Sequence, residues 1–282
     1  MNHLYNNFKG FNNIGNTCYL NSGLQLVINN KDLCNIIIKN SNKNKILNNI
    51  AGFINDYYNN NDNISLTPNY IKNIVSLNNK EFIGFSQNDS FEFILYFLDF
   101  LFSSTKLDNI YEINTDISIK CKFNSCLTIS SHEEKNNFLL LDITNETLTL
   151  DDSYRNYKSY DKLVDDNAYY CERCKEKRVA SKRTSITNWP KHLIIVLKRF
   201  SYNGRSQKNN KEIEVPIIWR HNYILKGIVY HSGSSTGGHY IYIGNHNNKW
   251  ILFNDESTKE LSIEQITNYK NNGYIYYFEK QN

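Results

Sequence analysis

Apolar residues recur at helical spacing through the first third of the chain and alternate with polar ones over most of the rest. Between 19 and 29, Leu20, Gly23, Leu24, Val27 and Ile28 fall on one side of a helix, with Asn16 or Thr17 placed to cap its start. The Asn- and Lys-rich stretch 40–64 confines its apolar positions to Ile46, Leu47, Ile50, Phe53, Ile54 and Tyr57, which predicts a surface helix between polar loops. Pro68 opens another over 69–78. Phe91, Phe93, Ile94, Leu95, Phe97, Leu98, Leu101 and Phe102 make a helix that is apolar nearly all round, and therefore buried.

After Lys106 the period changes to two. Alternation at 110–114 and 117–121 predicts strands, and further strands are expected at 138–143, 179–187, 193–200, 224–230, 240–244, 250–253 and 274–279. Asn203-Gly204 within a polar stretch marks a hairpin turn, and Ser262 precedes a short helix over 263–271. Helices first and strands afterwards is an α+β order, read here as one domain over 1–282.

Composition adds limits. With 282 residues, 40% of them hydrophobic and including 15 Phe and 21 Tyr, the chain has material for a sizeable core. No apolar run approaches the length of a membrane span, and Met1-Asn2-His3-Leu4 lacks the pattern of a secretory signal. The expectation is an intracellular protein, cytoplasmic or nuclear, that does not engage membranes and acts as a monomer. The net charge of +4 comes from lysines scattered among asparagines, which argues against nucleic acid as a partner. Six cysteines without a secretory signal argue against a disulfide framework. Cys34 reads as a small core residue, whereas Cys121 with Cys126 and Cys171 with Cys174 form two pairs that could hold a tetrahedral zinc ion.

The remaining cysteine lies in Gly10-Phe11-Asn12-Asn13-Ile14-Gly15-Asn16-Thr17-Cys18-Tyr19-Leu20-Asn21. It stands where a polar, glycine-punctuated loop becomes a helix, and a helix start stabilises a thiolate. Far along the chain, His231-Ser232-Gly233-Ser234-Ser235-Thr236-Gly237-Gly238-His239-Tyr240 offers a base at the start of a strand, His239, with His231 its nearest rival. Trp250-Ile251-Leu252-Phe253-Asn254-Asp255 then supplies an amide and a carboxylate to orient an imidazole. Cys, His and Asn in that order is a thiol-protease arrangement.

Together these segments resemble the ubiquitin-specific protease family of deubiquitinases, a branch of the papain-like peptidases, and the resemblance extends over essentially the whole chain. It implies a hand: a helical thumb over about 1–105 carrying Cys18, fingers over about 106–200, and a palm sheet over about 201–282 carrying His239. It implies hydrolysis after the terminal glycine of ubiquitin through an acyl thioester, with no cofactor for the chemistry. Cys18 would be the nucleophile, His239 the base and Asn254 its orienting partner, with Asp255 the alternative third member. Asn13 matches the family's oxyanion-hole residue, and Asn16 stands close enough to compete for that role. Ser86-Gln87-Asn88-Asp89-Ser90-Phe91-Glu92-Phe93 is similar to the family element whose acids receive the basic tail of ubiquitin, which makes Asp89, Glu92 and Gln87 substrate-binding candidates. Asn88 departs from that element, and the four residues between Cys121 and Cys126 depart from the usual two of the family's structural zinc site. Two other readings keep the fold: an inactive ubiquitin-binding scaffold, and a protease for another ubiquitin-like modifier.

Overall fold

Burial of helices against one face of a sheet organises the first third of the chain. The structure is a computed structural model that describes residues 8–59, 65–126 and 128–281; the N-terminal segment 1–4 and the end of the 40–64 stretch lie outside these. Helix α1 (Cys18–Ile28) is buried along its whole length. Gly23 lets it approach its neighbour, because a Cβ there would stand 2.7 Å from a Phe93 ring carbon. Helix α2 (Lys31–Lys39) follows at once, capped by Asn30, whose Oδ1 accepts from the Leu33 N–H at 3.1 Å. The sequence pattern does not declare it, since the short apolar run 33–38, broken only by Asn35, suits a helix or a buried strand equally. Only Leu33, Cys34 and Ile37 are buried, one face of a helix. The Cys34 thiol donates to the Ile28 carbonyl at 3.0 Å, and burial pushes its pKa up to about 12, as befits an inert core cysteine.

Helices α3 (Lys45–Asn59), α4 (Asn69–Asn78) and α5 (Ser90–Thr105) lie where periodicity puts them. Helix α5 is not buried all round: Phe93, Ile94, Phe97, Leu98 and Leu101 face the core, while Leu95 is 37% exposed. Its outer side, with Phe91, Leu95 and Asp99, lines an open hollow shared with Glu112, Lys135 and Phe138. No helix among the described residues is long and apolar enough to cross a membrane.

The palm is a sheet in the order Ser257–Leu261, Lys249–Asn254, Gly237–His246, Tyr223–Ser234, Ile275–Lys280, His192–Leu197 and Leu139–Leu141, antiparallel except for the last pair. Successive side chains point to opposite faces. Ile194, Val196, Tyr240, Tyr242, Ile275 and Tyr277 therefore join the core with the N-terminal helices. Leu193, Ile195, Ile241, Ile243, Tyr276 and Phe278 join a second core under α6 (Leu150–Tyr157) and α7 (Ile263–Asn272). Helix α6 is short and largely polar, and escapes the sequence pattern; a reciprocal cap between Thr149 and Asp152 starts it.

The fingers form a second sheet in the order Ile129–Asn136, Ile113–Cys121, Ala180–Asn188 and Asp161–Leu163. The two alternating runs at 110–121 make one strand rather than two. Strand Ile129–Asn136 is polar and exposed along nearly its whole length, so it carries no alternation to read, and its charges suit an edge. Asn203-Gly204 turns a hairpin between Phe200–Tyr202 and Ser206–Lys208.

Candidate active site

The loop before α1 is shaped by one side chain. Asn13 Oδ1 accepts from the backbone N–H groups of Gly15 and Thr17, both at 3.1 Å, while the Ile14 N–H donates to Thr17 Oγ1 at 3.0 Å. Gly15 (φ +104°) and Asn16 (φ +53°) supply the left-handed backbone this turn requires. Neither Asn16 nor Thr17 caps the helix by its side chain, and Asn16 instead donates to the Phe85 carbonyl at 2.8 Å. Cys18 thereby becomes the first residue of α1, where backbone N–H groups have no acceptor within the helix.

His239 comes from the palm strand Gly237–His246, and Asn254 ends the strand Lys249–Asn254. Nε2 of His239 and Oδ1 of Asn254 lie 2.6 Å apart. An amide oxygen only accepts, so Nε2 carries the proton and Nδ1 is left for the thiol. The Cys18 side chain is the largest influence on His239 and, with Asn254 and more distantly Asp255, raises its pKa to about 9 against the opposing effect of burial. His231 responds oppositely: burial first, then Lys208 and His239, drives it down to about 4. The rival histidine is therefore neutral, and its Nδ1 is buried with no hydrogen-bond partner. His132 pairs with Glu134 in the fingers, His192 is buried against Tyr277 and Asp32, and His221 packs on Trp189; none approaches the thiol.

Asn254 and Asp255 divide the two tasks that sequence left open between them. The Asp255 carboxylate turns away from the imidazole, at a residue with φ +48°. Its Oδ2 accepts from Asn13 Nδ2 at 2.8 Å, its Oδ1 from Asn21 Nδ2 at 2.7 Å, and its carbonyl from the Phe11 N–H at 2.8 Å. Asn21 was not singled out in the sequence. Its signal was there: three residues after Cys18, it shares that face of the helix.

Asp89 is the N-cap of α5. Oδ1 accepts from the Phe91 N–H at 2.6 Å and the Tyr274 hydroxyl at 3.1 Å, and Oδ2 accepts from the Tyr240 hydroxyl at 3.0 Å. Burial nonetheless raises its pKa. Glu92, one turn on, is raised by burial and by the Asp89 and Glu81 charges. Gln87 gives both amide atoms to Gly238. These residues border, with Cys18, a cavity of about 280 Å³ roofed by the loop 234–238.

At the far end of the fingers, the sulfurs of Cys121, Cys126, Cys171 and Cys174 lie within 4.8 Å of one another, and Cys126 and Cys171 are 3.5 Å apart. Four thiolates about 2.3 Å from one zinc ion would be about 3.8 Å apart, so the four residues fit a tetrahedral site. The long spacing of the first pair is absorbed by a turn closed by the Cys126 N–H donating to the Phe123 carbonyl at 2.9 Å. Asp32, His192 and Glu279 form another compact group, but Lys191 and Lys226 neutralise its carboxylates, which marks an ion-pair cluster.

The helical thumb, palm sheet and fingers set Cys18, His239 and Asn254 together at one cleft. The profile of the ubiquitin carboxyl-terminal hydrolase family matches residues 9–278, and the chain belongs to that family, whose members are deubiquitinating cysteine peptidases. It is 26% identical to the probable ubiquitin carboxyl-terminal hydrolase 16 of Schizosaccharomyces pombe, with 98% of this chain and 67% of that protein aligned. It is 25% identical to ubiquitin carboxyl-terminal hydrolase 12 of Salmo salar, covering 97% and 90% respectively. The chain spans 34% of Usp2 of Drosophila melanogaster, at 25% identity. Among solved structures, the SAGA DUB module of Ubp8, Sgf11, Sus1 and Sgf73 bound to ubiquitin aldehyde shares the fold, with a TM-score of 0.82, 22% identity, and 100% of this chain and 71% of that one covered.

Proposed function

We propose that the chain hydrolyses peptide and isopeptide bonds after the C-terminal glycine of ubiquitin, with Cys18 as nucleophile and His239 as acid and base. The observation that carries this reading is the placement of Cys18 at the start of α1 facing an imidazole that Asn254 fixes at 2.6 Å, with the thiol the largest influence raising the pKa of His239.

In the first step the Cys18 thiolate attacks the glycine carbonyl, forming a C–S bond and an oxyanion. The Cys18 N–H and the second amide hydrogen of Asn13 are the donors available to that oxyanion; one such donor is worth about 2.7–4 kcal/mol of barrier. The proton on Nδ1 of His239 passes to the leaving amine as the C–N bond breaks, leaving an acyl thioester. Neutral His239 then takes a proton from water, whose oxygen attacks the thioester and releases the carboxylate and the thiolate. Asp89 and Glu92 would meet the basic tail of ubiquitin, and the glycine-rich loop would close over the terminal glycines, where no side chain needs room. The four finger cysteines would hold a structural zinc ion that ties two turns together and takes no part in the reaction. Such thiols stay reduced inside a cell, the compartment proposed for this chain, which we take to act as a monomer.

A ubiquitin bearing a thiol-reactive C-terminal group tests the reading. A covalent adduct on the native chain and none on Cys18→Ala is expected. Ubiquitin bound without an adduct would instead make the chain a scaffold, and reaction only with a different modifier would change the substrate.

A further inference from the structure

Thumb residues 87–89 grip the palm on both sides of His239. Gln87 Nε2 donates to the Gly238 carbonyl and the Gly238 N–H donates to Gln87 Oε1, each at 3.2 Å. Two residues on, Asp89 accepts from the Tyr240 hydroxyl at 3.0 Å. His239 is thus held between two neighbours tied to a different part of the fold.

Gly238 needs such a tie. It pairs with Gly233 on one edge of its strand, but the strand on the other edge, Lys249–Asn254, begins its pairing only at Tyr242 with Phe253. At Gly238 the outward-facing N–H and C=O have no strand to meet, and the Gln87 amide replaces one. Nor can a side chain anchor the position, because a Cβ on Gly238 would collide with the Ser232 carbonyl and the His231 ring. The hairpin before it holds Gly233 at φ +111° and is tied on its far side, where Lys208 Nζ donates to the Gly233 carbonyl at 3.1 Å, so Gln87 is what restrains the strand's other edge at Gly238.

We infer that Gln87 is a positioning residue for His239: its reciprocal hydrogen bonds hold the backbone at Gly238 so that the imidazole stays against the Cys18 thiol. This rests on the Cys18–His239 pair proposed above. A primary amide suits the task because it donates and accepts at once; a carboxylate could accept from the Gly238 N–H but could not donate to its carbonyl. Segment 87–89 then serves the base through its first and third residues.

The test is the rate at which iodoacetamide alkylates Cys18 at neutral pH, followed by peptide mass spectrometry, in the native chain, Gln87→Met and Gln87→Glu. Methionine keeps the length and loses both hydrogen bonds at an exposed position. Misplacing a reacting group by about an ångström costs about 100-fold. Alkylation and kcat should both fall by roughly 10–100-fold in Gln87→Met, with KM for a ubiquitin substrate little changed and Gln87→Glu intermediate. Native-like alkylation in Gln87→Met, or a rise in KM alone, would overturn the inference and leave Gln87 a substrate contact. Native Cys18 reacting no faster than in the urea-unfolded chain would instead defeat the Cys18–His239 reading itself.

Discussion

Asn13 donates its side-chain amide to the Asp255 carboxylate at 2.8 Å, joining residues 242 apart in the chain. The other carboxylate oxygen holds Asn21, so a single acid from the end of a palm strand braces both the loop before Cys18 and the helix after it. Asn254, next in the chain, braces the base. Asp255→Ala should therefore damage the oxyanion side of the reaction, lowering kcat on the order of 100-fold. It should move the His239 pKa less than Asn254→Ala does, because Asn254 has the larger influence on that ring. Steady-state kinetics and an NMR titration of His239 check this; a larger pKa change in Asp255→Ala would reverse the two roles.

Removing the thiol should release the base. In Cys18→Ala the imidazole loses the largest cause of its raised pKa and should titrate near the usual 6.5 instead of about 9. A folded-state pKa above the unfolded one means that protonated His239 stabilises the fold. That contribution is fully present below pH 6.5 and is lost as pH rises through about 9. The native chain should thus lose more Tm than Cys18→Ala between those limits, and kcat/KM should decline above about pH 9 as the imidazolium that protonates the leaving amine is lost. Parallel Tm profiles for the two chains would contradict the coupling.

Asp89 combines a cap and a charge, and two substitutions separate them. Asn is as good an N-cap as Asp, whereas Ala forfeits about 0.5–2 kcal/mol. Asp89→Asn keeps the cap but replaces the oxygen that accepts from Tyr240 with a donor, so it should lower Tm less than Asp89→Ala does while raising KM for ubiquitin. Unchanged KM in Asp89→Asn, measured beside thermal melts, would reduce Asp89 to its structural role.

The finger cysteines make a prediction about metal. Elemental analysis should find one zinc per chain, and a strong chelator should lower Tm by several degrees without changing the chemistry at Cys18. Cys171→Ser should mimic the chelator, since Cys171 is fully buried among the other three sulfurs. A metal-free chain with an unaltered melt would refute the site.

Much of this was legible in the chain because it is local. Period-two alternation assigned Ile194 and Ile195, or Tyr276 and Tyr277, to opposite faces of the palm before any partner strand was known, and the 3.6-residue period did the same for α3, α4 and α5. Where the signal failed, the cause is physical. Helix α2 is ambiguous because its short apolar run 33–38, broken only by Asn35, suits helix and buried strand alike. Helix α6 bury few residues, and strand Ile129–Asn136 buries almost none, so neither imprints a period on the sequence.

By itself the sequence singled out the residues proposed here to carry the chemistry: a thiol at a helix start, a histidine at a strand start, and an amide beside a carboxylate. What only the tertiary structure decided is how adjacent or multipurpose residues share the work. Asn254 faces the base and Asp255 the cysteine loop because the backbone turns to left-handed φ between them and aims successive side chains apart. Gln87 and Asp89 meet the palm at Gly238 and Tyr240 because α5 is docked there by its core face. Hydrogen bonds between residues some 150 to 240 positions apart have no local signature, since their geometry exists only once both cores have packed.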